Sequence, residues 1–368
     1  MDYFINEESD FSVLMDCIAK NDLNRILENK LTLLSNFIEI GKTHLVKIAL
    51  EYGADPNYDP FNIMPPIVLA IYRKNPEALF YLIKYGANLS VKNEKGLSLL
   101  IFSIKYAPIC SFIILNSNVD IHTICSEGNN AIIMAVKMNE IKIVIELIRR
   151  GININHKNKN GLSPFWIASY DKNIKMMKLL ADCGANVNTA NNEGITPLIN
   201  AIKQQDLAII EFLLDKNAEV YNLVNKSFKT LDFVIMTGNI RIMHFFSKYY
   251  SKKDYLFIGK YPSIIYTIFT DKASPESISY LIQMGADINQ TYIQDGLLVT
   301  PLMISIIKNN FLITMKLLEL GANPHFGENN KPLNYAIEKA NENDFRYVDI
   351  LRNYGVVYNH FNDNKYFN

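Results

Sequence analysis

Six histidines (His44, His122, His156, His244, His325, His360) and four cysteines (Cys17, Cys110, Cys125, Cys183) are the side chains of this chain that could hold a metal, shuttle a proton or attack a substrate. Those roles depend on spacing. No two histidines stand as H-x-x-x-H or H-E-x-x-H, and no cysteine sits in C-x-x-C or joins a histidine at ligand spacing. His122 and His156 could meet on adjacent loops, but two neutral imidazoles make a weak ligand set. There is no G-x-S-x-G elbow, no Walker-type glycine loop and no dinucleotide fingerprint. Gly41-Lys42-Thr43 lacks the glycines that would cradle a phosphate and falls in a link between helices. Carboxylates do not pair in an apolar setting suited to acid–base work. The expectation is no catalytic, cofactor-binding or metal-ligating residue, no cofactor, and no enzyme activity. The unpaired cysteine pattern predicts reduced, mostly buried thiols in an intracellular, cytoplasmic protein, in its source or in a host cell.

Charge narrows the partner classes. Lys+Arg and Asp+Glu are both 37, so the net charge is zero, which argues against a dedicated nucleic-acid binder and leaves room for a local patch. Met1 to Cys17 carries no charged-then-apolar leader, and no apolar run is long enough to span a bilayer. After Gly355 thirteen residues remain, too few for an appended catalytic or adaptor domain.

What positions side chains here is a repeat. Gly161 and Gly194 are 33 apart, as are Ser163 and Thr196, Pro164 and Pro197, Ala168 and Ala201, Gly184 and Asn217, and Ala185 and Ala218. A period of this length means stacked units. Gly161 suits a turn of positive φ. Ser163 and Thr196 can cap a helix, with Pro164 and Pro197 at its first position, where no N–H is needed. A short first helix is predicted over Pro164–Tyr170, broken at Asp171-Lys172-Asn173. A second follows, with Ile174, Met177 and Leu180 on one face and Lys175, Lys178 and Asp182 on the other. Gly184 stops it as a left-handed cap. Asn186-Val187-Asn188 is expected to run extended into the next turn.

A turn, S/T-P-L/F-x-x-A, a second helix and G-A-D/N-x-N at this period resemble the ankyrin repeat. The family's T-P-L-H is kept as TPL at Thr196-Pro197-Leu198 and Thr300-Pro301-Leu302; Val68, Ile101, Ile133, Trp166 and Ile199 replace its histidine, which implies a drier seam between units. The resemblance implies an all-α ankyrin-repeat solenoid of ten to eleven helix–turn–helix units with β-turn fingers, elongated and monomeric. Trp166 reads as a filler between units.

Units begin near Thr32, Pro65, Ser98, Asn130, Ser163, Thr196, Lys229, Tyr261, Thr300 and Lys331, in steps of 33, 33, 32, 33, 33, 33, 32, 39 and 31. Second helices stop at Gly53, Gly86, Asn118, Gly151, Gly184, Asn217, Gly285, Gly321 and Gly355. The organisation expected is N-terminal cap helices over 1–30, regular repeats over 31–220, a degenerate repeat over 221–260, repeats with longer loops and a C-terminal cap over 261–358, and a tail over 359–368. Tyr221–Lys260 loses the Gly-Ala stop and gains aromatics. It reads as a drifted unit and the weaker joint, or as a hinge or binding surface. Ala273-Ser274-Pro275 lengthens the next helix link, and Gln290–Val299 is a longer finger that could shape a binding edge.

Proteins that resemble this family bind partners with finger tips and the exposed face of the first helices. The seventh and eighth residues after each cap should face that groove. The basic and aromatic middle of the set gives the candidate partner-binding residues Tyr72, Arg73, Lys105, Tyr106, Lys137, Met138, Tyr170, Asp171, Lys203 and Gln204. The later part, Met236/Thr237, Ile268/Phe269 and Ile307/Lys308, is more apolar. Lys105, Lys137 and Lys203 share one repeat position and predict a basic ladder for a protein partner with an acidic, partly apolar segment. Two function classes remain: a non-catalytic protein-binding scaffold, and an enzyme subunit or host-directed effector with a site in the irregular units 221–300. A buried cluster of ionisable groups in one pocket would favour the second.

Overall fold

The computed structural model describes residues 7–62, 64–93, 95–224, 228–294, 297–326, 331–341 and 344–357. The tail over 359–368 lies outside them. The chain forms two compact units, Met1–Asn192 and Glu193–Asn368.

The first unit opens with α1 (Glu7–Ala19), which packs on α3. Five helix hairpins follow: α2/α3 (Leu33–Glu39, Thr43–Glu51), α4/α5 (Pro66–Tyr72, Pro76–Lys84), α6/α7 (Leu99–Tyr106, Pro108–Leu115), α8/α9 (Ala131–Lys137, Ile141–Arg149) and α10/α11 (Pro164–Tyr170, Ile174–Asp182). First helices stack on first helices, from α2 to α10, and second helices stack behind them, from α3 to α9. The second unit repeats the scheme with α12/α13 (Pro197–Lys203, Leu207–Asp215), α14/α15 (Thr230–Met236, Ile240–Phe246), α16/α17 (Ser263–Phe269, Pro275–Gln283), α18/α19 (Pro301–Ile307, Phe311–Glu319) and α20/α21 (Lys331–Asn341, Arg346–Asn353). Its fingers contain three antiparallel hairpins: β1/β2 (Leu223–Val224, Phe228–Lys229), β3/β4 (Phe257–Ile258, Tyr261–Pro262) and β5/β6 (Tyr292–Gln294, Leu297–Val299). In the described part of the first unit, fingers reach only isolated bridges, Ile26↔Thr32 and Lys92↔Ser98.

Local chemistry sets these boundaries. The side chains of Thr32, Ser98, Asn130, Ser163, Thr196 and Thr300 each accept a backbone N–H of the first turn they cap. In eight of the hairpins the link between paired helices holds one residue at positive φ (Gly41, Lys74, Asn139, Lys172, Gln205, Gly238, Asp271 or Asn309), whereas the α6/α7 link is Ala107 alone, at φ −149°. Gly41 thus belongs to a helix link. Second helices end on a left-handed residue at Gly53, Gly86, Gly151, Gly184, Asn217, Gly285, Gly321 and Gly355.

Four expectations change. Asn118 is not left-handed; the end of α7 is closed by Arg150, whose guanidinium donates to Leu115 O and, at 3.2 Å, to Asn116 Oδ1. The cap before residue 30 holds one helix among the described residues, because Leu27 N–H bonds Leu31 O and Leu33 N–H bonds Arg25 O, folding that stretch into a finger. Asn186–Asn188 turns rather than extends, since Asn186 Oδ1 accepts Asn188 N–H at 2.8 Å. On α11, Ile174 is exposed and Met176 takes the buried place beside Met177 and Leu180.

Fingers are linked by backbone N–H groups that reach the preceding finger. Asp55, Asn88, Asn186 and Asn323 donate to the side-chain oxygens of Asn24, Asn57, Asn155 and Asn289 at 2.7–3.0 Å. This gives the Asn of the G-A-D/N-x-N pattern its purpose. At the tips, Ser126, Lys159 and Asn192 donate to the carbonyls of Lys95, Glu127 and Asn160. A Cβ at Gly161 would overlap Asn192, so the stacked tips leave no room for a side chain there.

The drifted repeat keeps its two helices and replaces the missing stop with aromatics. After α15 the chain makes a 3₁₀ turn over Lys252–Tyr255. Tyr255 and Tyr280, both buried, donate to the single carbonyl of Met243 at 3.1 and 3.3 Å. Tyr250 donates to Val220 O and Tyr221 to Tyr249 O, and the rings of Tyr221 and Tyr250 meet edge to face at 5.1 Å.

Candidate functional site

Each first helix of the first unit is about two turns long and buried along most of its length, so its last residues and C-cap are what it can present. In the first unit these ends carry eight of the ten sequence candidates. Tyr72, Tyr106, Met138 and Tyr170 are 54%, 41%, 38% and 55% exposed, respectively. Lys105, Lys137 and Asp171 are exposed too. Lys105 Nζ lies 5.2 Å from the Tyr106 ring centre, and Arg73 lies 5.7 Å from that of Tyr72. Arg73 also grips Glu39 on the preceding first helix, α2, its Nε 2.7 Å from Oε2, so part of its charge is already matched. Tyr72, Arg73, Glu39 and Thr32 line a recess of about 300 Å3. Tyr170 stacks on Trp166 at 5.5 Å and 13°. Trp166 is itself 7% exposed, the buried filler its position suggested.

Lys203 and Gln204 belong to the second unit. Lys203 is exposed, with Nζ 5.6 Å from the ring centre of Phe233. The other apolar positions divide: Ile268 is buried at 1%, whereas Phe269 and Ile307 are 44% and 43% exposed.

The second unit also holds a groove the candidate set missed. It encloses about 530 Å3 between helix α16, which gives Ile265, Tyr266, Phe269 and Thr270, and the hairpins, which give Phe228, Tyr261, Tyr292 and Ile293. Tyr261 sits 5.8 Å from Tyr266 and 5.2 Å from Tyr292, ring centre to ring centre. Burial, and then Tyr261 and Asp232, push the Tyr266 hydroxyl up from its ordinary value. Asp232 organises the hairpins. It is 3% exposed and accepts the N–H of Lys229 at 2.7 Å and that of Gly259, anchoring β2 and the β3/β4 tip to the start of α14. Burial raises its carboxyl above the usual range, while those two bonds favour the charged form. The sequence signal was present in the aromatics of the drifted repeat and the longer finger. What it lacked was the hairpin register that turns three of those rings toward one helix.

His156 Nε2 bonds Gly128 O at 2.8 Å, and His122 is exposed. Cys17, Cys110 and Cys125 are buried, Cys183 is exposed, and all four are free. Burial lifts the Cys110 thiol to about 11. Among the described residues no three His, Cys, Asp or Glu side chains group as metal ligands, and no helix is long and apolar enough to cross a membrane.

Comparison with known proteins agrees with this geometry. Residues 67–158 and 146–223 match the family model for ankyrin repeats in three copies. No curated protein matches the chain in sequence. Among solved structures, the ankyrin repeat domain of Bcl-3, titled a unique member of the IkappaB protein family, aligns with a TM-score of 0.51 and 22% identity, over 55% of this chain and 92% of that one. The human ASB11 ankyrin repeat domain aligns with a TM-score of 0.48 and 20% identity, over 55% and 91%. Repeat grammar, helix pairing and family model coincide: the chain has an all-α ankyrin-repeat fold, and its residues 67–223 match ankyrin repeats, modules whose general role is to bind other proteins.

Proposed function

We propose that this chain is a non-catalytic scaffold that holds a protein partner against the exposed ends of its first helices and its fingers. The observation that carries this is the alignment of Tyr72/Arg73, Lys105/Tyr106, Lys137/Met138 and Tyr170/Asp171 at one repeat position on successive stacked helices. Tyr, Met and Arg are enriched at protein interfaces, and a cation over a tyrosine ring offers a partner charge and apolar area together. The partner that suits this face carries an acidic, partly apolar segment. The alternative of an enzyme site in units 221–300 calls for converging ionisable groups. The groove there converges aromatic rings, which supports the scaffold.

The triple variant Lys105→Glu, Lys137→Glu, Lys203→Glu tests the reading. With helicity unchanged by circular dichroism, capture of partners from native-host lysate should fall, and the remaining binding should lose its salt sensitivity. Capture and salt dependence equal to wild type would remove these residues from the interface.

A further inference from the structure

As on the first unit's face, rings of the second unit's aromatic groove already carry cations. Lys260 Nζ lies 5.4 Å from the Tyr261 ring centre, and Lys308 Nζ lies 4.7 Å from that of Phe269. Lys203 sits over Phe233, whose ring centre is 6.1 Å from that of Phe228. Lys260 and Lys308 thus stand over rings that line the trough, and Lys203 stands one ring further out. One of them, Lys308, is paired with a carboxylate, at 3.7 Å from the largely exposed Asp271.

This arrangement selects among ligands. A cationic ligand would compete with lysines for ring faces they already occupy, and it would meet their repulsion. An anionic group at the rim gains their field, and the rings and Ile293, which is 66% exposed, gain from apolar contact. The Tyr266 hydroxyl adds a donor for a backbone carbonyl or carboxylate. We infer that the groove between α16 and the three hairpins is the anchor site for a protein segment that sets aliphatic or aromatic side chains into the trough and acidic side chains against Lys260 and Lys308. This rests on the scaffold reading and assigns that reading its main affinity site, in the irregular repeats instead of the regular ones.

A displayed library of random short peptides, selected on the full chain, is the probe. Three variants are selected in parallel: Phe269→Glu with Ile293→Glu, Lys260→Glu with Lys308→Glu, and Lys105→Glu with Lys137→Glu. The first pair replaces exposed side chains, so the fold is retained, as circular dichroism and thermal unfolding will verify. Peptides enriched on the wild-type chain should be net acidic with apolar or aromatic positions. Their binding should fall about tenfold or more with the first variant. It should also fall with the second and weaken in added salt. An enriched set that is neutral or basic, no enrichment at all, or binding that survives the first variant overturns the inference. Binding that survives it but is lost with Lys105→Glu/Lys137→Glu leaves the scaffold standing with its site elsewhere.

Discussion

Replacing Gly238 by alanine separates the two reasons a glycine can stand in a helix link. Gly238 has φ +65°, yet Lys74, Asn139, Lys172, Gln205, Asp271 and Asn309 hold the same link position at φ between +53° and +57°. A positive φ alone therefore does not demand glycine in this fold. What singles out Gly238 is the next repeat: a Cβ there would overlap the carbonyl oxygen of Lys272, in the link between α16 and α17. Gly41, at φ +74°, has nothing within 4 Å of the same added atom and serves as the control. A left-handed alanine costs about 1–2 kcal/mol. Forcing apart two packed backbones adds about 1–3 kcal/mol of overpacking. Gly238→Ala should thus cost about 2–5 kcal/mol, and Gly41→Ala about 1–2 kcal/mol. Urea unfolding of both variants gives the totals, and hydrogen exchange should place the loss of the first in α14–α17. Equal losses in the two, or a Gly238→Ala cost below that of Gly41→Ala, would refute the contact argument.

Other outcomes follow from named contacts. Leu198, 1% exposed on α12, should cost about 2–5 kcal/mol as alanine, measured by urea unfolding. Tyr255→Phe and Tyr280→Phe each leave the other hydroxyl on Met243 O, so each should cost about 1 kcal/mol, and the double variant more than their sum, because only it orphans that carbonyl. Arg149, then Arg150, hold Glu146 down to about 2 from 4.5; the depressed carboxyl contributes above pH 4.5 and loses that contribution as pH falls toward 2. Unfolding of the wild type should ease across that window, and Glu146→Gln should flatten this part of the profile. Amides of Tyr221–Lys260 should exchange faster than those of Ser163–Asn217, since α15 has 7 residues where α13 has 9. Equal rates would show that the tyrosine bonds fully replace the lost stop.

The helices were legible because one residue type at one place determines each event. Ser163, Pro164 and Gly184 start, seat and stop their helices where the spacing put them. The faces of short helices were less legible. Ile174 and Met176 are both apolar, and over nine residues the periodicity does not choose between them; Met176 is buried and Ile174 exposed. Asn118 failed as a stop because a tertiary donor, Arg150, took over the end of α7 from 34 residues away. The candidate surface was legible in its repeat register: all four pairs on the first unit lie at exposed helix ends. The aromatic groove was not, because its rings come from three fingers and one helix whose pairing is specified only by hairpin register and by the buried Asp232.

The finger bonds have a direction. At Asp55, Asn88, Asn186 and Asn323 a finger's backbone donor reaches a side-chain oxygen of the finger before it. A ribosome delivers the chain in that same order, so each acceptor exists before its donor is made. At these joints the completed finger is a finished template and the arriving one finds its anchor waiting, so they can close behind synthesis like a zip drawn from its N-terminal end. Were the polarity reversed, each new finger would wait for a partner still inside the ribosome.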